Sequence, residues 1–323
     1  MKNNSENNSE NNKEKILVTG CAGFIGSHLC EALLKNDYIV YGLDNMNIFY
    51  DLYKEKNLEI LLQYENFIFE KDDIRTTKII SKIKPTKICH LASIAGVRYS
   101  LENPIIYYQN NLEGFINIME EARKNNIKNV IYASSSSVYG LNEKIPFNEN
   151  DNLEKFNSPY ALSKYCMELY AKLYYQLYNI NSIGLRFFTV YGPRGRPDMA
   201  PHKFLNSIMN EKIIQKYGDG NSYRDYTYIS DIVDGIIGAI NNKNNIKCDV
   251  YNLGNSNPIS LNTFIEICEK ITNKKAIIEK LPNQLGDVPY TYADINKAKR
   301  DLDYEPKITF ESGLKKLYEY LKE

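Results

Sequence analysis

The stretch that most restricts the possible folds is Lys15-Ile-Leu-Val-Thr19 together with the glycine-rich turn after it. The segment is short and apolar, as a buried strand is, and three glycines come next at a fixed step, Gly20, Gly23 and Gly26. Ser27 to Lys35 then carries apolar residues at helical spacing, and Tyr38 to Asp44 (YIVYGLD) reads as a second strand. Strand, glycine turn, helix and strand in that order make a βαβ unit and hence a parallel sheet. The pattern continues with strands expected at Phe67–Glu70, Lys87–Leu91, Asn129–Ser134 and Ser182–Phe187. Helices are expected between them, at Thr76–Ile83, Ile105–Lys124 and Pro159–Tyr178. This alternation predicts an α/β fold with a doubly wound, Rossmann-type parallel sheet.

After Thr189 the alternation weakens. YGPRGRPDMAP reads as a loop, and GDGNS (Gly218–Ser222) as a turn. Helical spacing returns at Phe204–Asn210, Asp231–Asn241, Leu261–Thr272 and Phe310–Leu321, with a strand at Val250–Leu253. The expected organisation is a disordered tail over 1–13 and a cofactor domain over 14–188 plus about 226–256. A smaller substrate domain takes 189–225 and 257–323. The tail, MKNNSENNSENNK, has no apolar stretch to bury or to serve as a signal peptide.

Bulk properties exclude several classes. Lys+Arg and Asp+Glu both number 40, so no basic field exists to hold nucleic acid. No apolar run approaches the ~20 residues of a membrane span. The six cysteines form no CxxC pair and share no metal-like spacing with the three histidines. They read as reduced thiols, so the expectation is a cytoplasmic protein without a metal, a membrane or a nucleic-acid partner.

The glycine turn carries the cofactor argument. Glycines allow tight backbone geometry and close approach to a pyrophosphate, and the helix start after them offers free N–H groups. Phe24 and Ile25 lie inside the turn. Asp44 ends the second strand, where a carboxylate accepts from ribose hydroxyls and repels a 2′-phosphate, which favours NAD over NADP. Asn45 comes directly after it. Asp73-Ile74, Leu91-Ala92-Ser93 and Phe187 sit at later strand ends, where the rest of the cofactor would run.

Tyr160 and Lys164 stand at i and i+4 in SPYALSK, one turn apart on one helix face. Ser158 and Pro159 suit the cap and the first helical position. Ser134 to Ser137 lie at a strand end, where ligands of open parallel sheets bind. Hydride loss from a carbinol carbon requires loss of the hydroxyl proton. A tyrosine of ordinary pKa ~10 is a poor base near neutrality, and a neighbouring ammonium would favour the phenolate.

These motifs resemble those of the extended short-chain dehydrogenase/reductase family, the nucleotide-sugar epimerases and dehydratases, from Lys15 onward. The resemblance rests on TGCAGFIGSHL, the serine loop before VYG, and YALSK as the Y-x-x-x-K signature. It implies Ser135, Tyr160 and Lys164 as the catalytic set, and Asn111 of NLEG as a further cofactor-side residue. HLASIAGVRYSLENP, LRFFTVYGPRGRPDMAP, RDYTYISDI and GDVPYTYADI are similar to stretches of the UDP-glucuronate 4-epimerases. That likeness implies Thr189 and Arg196 at the substrate carboxylate, with Ser136 and Ser137 beside them. Arg98 and Arg224 are implied at diphosphate or uridine, and Asp287 as a further substrate contact. Arg194 departs from the likeness, since subfamily members commonly carry Trp there. The serine loop lacks the carboxylate of the related dehydratases and decarboxylases.

The resemblance therefore implies an NAD-dependent isomerase of a UDP-sugar. C4 would be oxidised, the 4-keto sugar turned over, and hydride returned to the other face, so that NAD is regenerated. A 4-epimerase of UDP-glucose or UDP-N-acetylglucosamine and a non-catalytic NAD-binding regulator stay open. The expected partners are the UDP-sugar and a second copy of the chain, docked through the helices near 105–124 and 159–178.

Overall fold

The computed structural model describes residues 13–47, 53–282 and 288–323; most of the expected tail, and Asp287, lie outside the described residues. In chain order the elements are β1 (Lys15–Thr19), α1 (Phe24–Lys35), β2 (Ile39–Asp44), α2 (Lys54–Leu61), β3 (Phe67–Lys71), α3 (Ile79–Ile83) and β4 (Lys87–His90). Then come α4 (Val97–Glu102), α5 (Pro104–Tyr107), a π-helical turn (Tyr108–Glu113), α6 (Gly114–Lys124), β5 (Asn129–Ser135), a 3₁₀ turn (Ser136–Tyr139), α7 (Pro159–Tyr178) and β6 (Asn181–Phe187). The remainder comprises β7 (Thr189–Tyr191), α8 (Ala200–Met209), β8 (Ile213–Tyr217), β9 (Tyr223–Tyr228), α9 (Ile229–Asn241) and β10 (Cys248–Leu253). It closes with β11 (Pro258–Ser260), α10 (Leu261–Thr272), β12 (Ile277–Leu281), α11 (Asn296–Leu302) and α12 (Phe310–Lys322).

Seven strands form one parallel sheet in the order β10-β6-β5-β4-β1-β2-β3. From β1 the chain winds outward through β2 and β3, then returns to the other side of β1 at β4. The crevice at the carboxyl ends of β1 and β4 is thus the topological switch point, where such sheets bind ligands. Both faces are covered, which explains why the strands are apolar at successive positions. Ile16 and Val18 of β1 enter one core, with α1 and α9, while Leu17 enters the other, with α6 and α7. Two small sheets, β11-β9-β7 and β12-β8, build the rest.

The expected strands of the large sheet are present to within one or two residues. Three departures have local causes. The first helix begins at Phe24 rather than Ser27, because Gly23 in extended conformation is already its N-cap. The helix expected over 105–124 is interrupted by the π turn, which carries Asn111 inward. Ala200-Pro201, the end of the stretch read as a loop, starts α8, with proline in the first turn where no N–H is required. The elements that periodicity missed include α2, α4, α11 and the strands β7, β8, β9, β11 and β12. Most are three to eight residues long, and β8 (IIQKY) and β12 (IIEKL) keep much of their surface in solvent.

Candidate active site

A cleft of about 470 Å³ opens at the switch point. Its floor is the glycine turn. Gly20 has φ +73°, and a Cβ there would fall 2.8 Å from the Ala92 nitrogen. A Cβ on Gly26 would fall 2.0 Å from the Gly20 carbonyl oxygen. The backbone is therefore packed on itself, which leaves the start of α1 open to a ligand's phosphates. The Thr19 hydroxyl accepts from Ala92 N (3.2 Å) and lies 2.9 Å from His90 Nδ1, tying the end of β1 to the loop after β4.

Most expected cofactor residues border this cleft: Gly20, Gly23, Phe24, Ile25 and Gly26 in the turn, Asp44 and Asn45 after β2, Ile74, then Leu91, Ala92 and Ser93, and Phe187. Asp44 is buried. It accepts from Ala22 N (3.2 Å), Met46 N (2.9 Å) and Lys54 Nζ (3.0 Å). Two expected residues do not border the cleft. Asp73 turns to Arg75, which binds it through Nε (2.9 Å) and Nη2 (2.8 Å) and holds its carboxyl down at about 2; its neighbour Asp72 faces the cleft instead. Asn111 is fully buried behind the wall. Its amide accepts from Ile94 N (2.8 Å) and donates to Ile94 O (2.9 Å) and Ser163 Oγ (3.1 Å), so it shapes the loop whose Ile94 to Val97 line the cleft.

Ser135, Tyr160 and Lys164 all border the cleft. Ser158 caps α7 by accepting from Ala161 N (3.1 Å), with Pro159 at the first turn. The Ser135 hydroxyl hydrogen-bonds the Tyr160 phenol and accepts from Ser137 N (3.1 Å). Lys164 Nζ donates to the Ala133 carbonyl (2.8 Å). Burial pulls the Lys164 ammonium down to about 7, against a smaller upward pull from Glu168. Burial also raises the Tyr160 phenol, while Ser135 and the Arg196 charge pull it the other way. Within the protein alone, burial thus opposes the phenolate that neighbouring cations favour.

Ser136, Ser137, Thr189 and Arg196 border the same cleft. Arg196 forms a forked pair with Asp198 (3.0 and 2.6 Å) and points Nη1 at the Ala95 carbonyl (3.4 Å). Arg98 and Arg224 lie outside this cleft. Arg98 stacks over the Tyr217 ring of β8, and Arg224 on β9 donates to the Tyr223 carbonyl (2.9 Å). Sequence reading missed Lys54 and Asn57, which α2 brings to the Asp44 end; the apolar Leu58 and Leu61 on that helix were the available signal. It also left Arg194 without a place. Arg194, in left-handed conformation, reaches α1, where Nη2 donates to Glu31 (2.6 Å) and His28 Nδ1 (3.1 Å). Among the described residues no group of three or more His, Cys, Asp or Glu is arranged to hold a metal.

Comparison with known proteins agrees with this geometry. The profile of the family described as GDP-mannose 4,6 dehydratase matches residues 17–317. Protein MJ1055 of Methanocaldococcus jannaschii is 51% identical over 310 residues, covering 94% of each chain. A UDP-glucuronate 4-epimerase of Thermodesulfobacterium geofontis is 42% identical over 313 residues, covering 95% of this chain and 96% of its own. The crystal structure of UDP-glucuronic acid 4-epimerase from Bacillus cereus, in complex with UDP-glucuronic acid and NAD, superposes with a TM-score of 0.89 at 39% identity, over 95% of this chain and 99% of that one. With its glycine turn, Y-x-x-x-K helix and seven-stranded sheet, the chain belongs to the GDP-mannose 4,6 dehydratase family of extended short-chain dehydrogenases/reductases.

Proposed function

We propose that the chain is an NAD-dependent UDP-sugar 4-epimerase acting on UDP-glucuronate to give UDP-galacturonate, with Ser135, Tyr160 and Lys164 as its catalytic set. The observation that carries the reading is the position of Arg196. Its charge acts on the Tyr160 phenol, so a cation lies within electrostatic reach of the reacting group in a cleft that Thr189, Ser136 and Ser137 also border. A sugar carboxylate is the substrate group that such a cation recognises. The cofactor fits the residues present, since Gly20 and Gly26 have no room for a Cβ and the Asp44 carboxylate borders the cleft, where it can accept from ribose hydroxyls. Bound NAD supplies the hydride acceptor and, through its cationic ring, a field that favours the phenolate.

The chain's own residues do the rest. Tyr160 exchanges the C4 hydroxyl proton, Ser135 holds the same oxygen, and Lys164 fixes the cofactor side of the helix. A 4-keto glucuronate is a β-keto acid and loses CO2 when its carboxylate bond aligns with the ketone π system. Arg196 and Thr189 hold the carboxylate out of that alignment, and the loop at Ser136-Ser137 presents hydroxyls with no carboxylate to repel it. Arg98 and Arg224 serve the nucleotide end from the α4 and β9 side. Asn111 serves the cofactor indirectly, through Ile94. The lobe division at 14–188 plus about 226–256 is supported by β10, which returns to the large sheet.

The active form is a homodimer, supported by Leu162, Leu169, Leu173 and Leu177, an exposed stripe along α7, and by Ile105 and Tyr108 beside it. A cytoplasmic location is supported by six free cysteines, four of them buried.

The test is a panel of UDP-sugars incubated with the purified protein and no added NAD, with C4 epimers separated by chromatography. UDP-galacturonate should form from UDP-glucuronate without net NADH, and Arg196→Ala should impair this substrate more than any neutral one. Faster conversion of UDP-glucose or UDP-N-acetylglucosamine sinks the carboxylate reading. Full turnover by Tyr160→Phe sinks the catalytic one.

A further inference from the structure

Three side chains stand one turn apart on the buried face of α7, namely Tyr160, Lys164 and Glu168. Three consecutive residues of β5 hold one each. The Ala133 carbonyl accepts from Lys164 Nζ, the Ser134 hydroxyl donates to Glu168 Oε1 (2.5 Å), and the Ser135 hydroxyl bonds the Tyr160 phenol. Arg186 lies directly opposite Ser134 in the β5–β6 register. It closes on the same carboxylate with both arms, Nε to Oε1 (2.9 Å) and Nη2 to Oε2 (2.7 Å). Its third nitrogen, Nη1, donates to the Tyr139 hydroxyl (3.0 Å), which donates onward to Asn252 Oδ1 on β10 (2.7 Å). Tyr139 ends the 3₁₀ turn that begins with Ser136, so the network holds the serine loop from below as well.

Neither Glu168 nor Arg186 borders the cleft, and both are more than nine-tenths buried. Replacing a buried ion pair by apolar residues is often neutral for stability, so stability alone is a weak account of this one. We infer that Glu168 and Arg186 are positioning residues for the reaction, fixing the depth of α7 on β5 and β6 and keeping the Lys164 ammonium charged beside Tyr160. Depth matters because Tyr160 hangs from α7 while Ser135 belongs to β5, so any slip between the two elements separates the two hydroxyls. Charge matters because Lys164 is buried. Among the described residues, the titratable groups that exchange charge effects with it are Glu168 on its own helix and His90 from β4, and of these Glu168 alone brings negative charge, partly balanced by the Arg186 fork from β6. Glu168 therefore offsets part of the desolvation that would strip the proton from Lys164.

The inference rests on the catalytic reading of Lys164, and its experiment has one arm that does not. In the NAD-loaded protein, Glu168→Gln keeps the shape and removes the charge. It should lower kcat by roughly tenfold or more while KM stays within about threefold, the mark of a group that acts on the transition state. The alkaline limb of the kcat–pH profile should move down by about one unit, since loss of a nearby opposite charge favours the neutral amine. Glu168→Asp should restore the limb. The second arm tracks the Lys164 side chain by 13Cε NMR, assigned with Lys164→Met; its titration midpoint should fall by a similar amount in Glu168→Gln. An unchanged midpoint, with kcat within about twofold of wild type, reduces the pair to a structural tie whatever happens to Tm. Should Glu168→Gln fail to fold, Ser134→Ala removes one bond of the network, and a kcat indistinguishable from wild type overturns the inference. Absence of epimerase activity in the wild type defeats the functional reading but leaves the lysine titration to decide this one.

Discussion

Lys164 concentrates the tension of the site in one side chain: it is 1% exposed and its ammonium has one carbonyl partner within the described contacts. Its pKa of about 7 lies below the ordinary lysine value, so between pH 7 and about 10 the unfolded chain binds more protons than the folded one. Lys164 therefore weakens the fold below pH 7, and that cost disappears as the pH rises through this window. The stability of wild type relative to Lys164→Met should increase from pH 7 to 10, as measured by urea denaturation of the cofactor-free proteins; a flat difference contradicts the burial argument. Tyr160 and Lys164 were legible in the sequence because their relation is local, four residues on one helix. Asp73 was not, because nothing in D-D-I-R says which of two adjacent carboxylates turns to Arg75 and which to the cleft. Lys54 was invisible for a similar reason, since its partner Asp44 stands ten residues away in the sequence, a spacing that matches no local periodicity.

Elements carry the next level of constraint. Gly26 lies in the first turn of α1 against the Gly20 carbonyl, where a methyl group meets backbone rather than a movable side chain. Gly26→Ala should push α1 off the turn and abolish cofactor retention, read as NAD released on heating the purified protein; retention at the wild-type level rules the cradle out. β9 holds a different hinge. Asp225 is fully buried and accepts from Ala293 N (3.0 Å), Asn255 N (2.8 Å) and Ser256 N (3.0 Å), drawing two loops onto one strand. Burial raises its carboxyl to about 6. Asp225→Ala leaves three donors unpaired and should cost about 2–5 kcal/mol in urea denaturation at about pH 7.5. The strands of the large sheet were readable because burial on both faces makes them continuous apolar runs. The strands of the small sheets were not, because β9 and β11 take their pairing from distant segments and their patterns are mixed. The π turn was equally hidden: its purpose is to send Asn111 toward Ile94, a contact between residues 17 apart.

At the scale of the molecule, the chain leaves the large sheet after β6 and returns to it at β10. The exposed leucines of α7 belong to this scale, since the proposed homodimer would bury them against a second copy. Leu169→Glu together with Leu173→Glu should halve the mass measured by light scattering while far-ultraviolet circular dichroism stays unchanged; a wild-type chain that already runs as a monomer removes the dimer reading. The strand order has a consequence for how the protein is made. β6 is complete once residue 187 has left the ribosome, but its outer neighbour β10 is not synthesised until residue 253. For the time it takes to add those residues, a few seconds to about ten at ordinary elongation rates, the nascent chain presents a bare strand edge. The edge is NSIGLRF, and it carries Arg186. Arg186 points from that strand onto Glu168 of α7, which is made earlier, so its charge is already paired within the sheet's own face and the edge stays bare until β10 arrives to cover it.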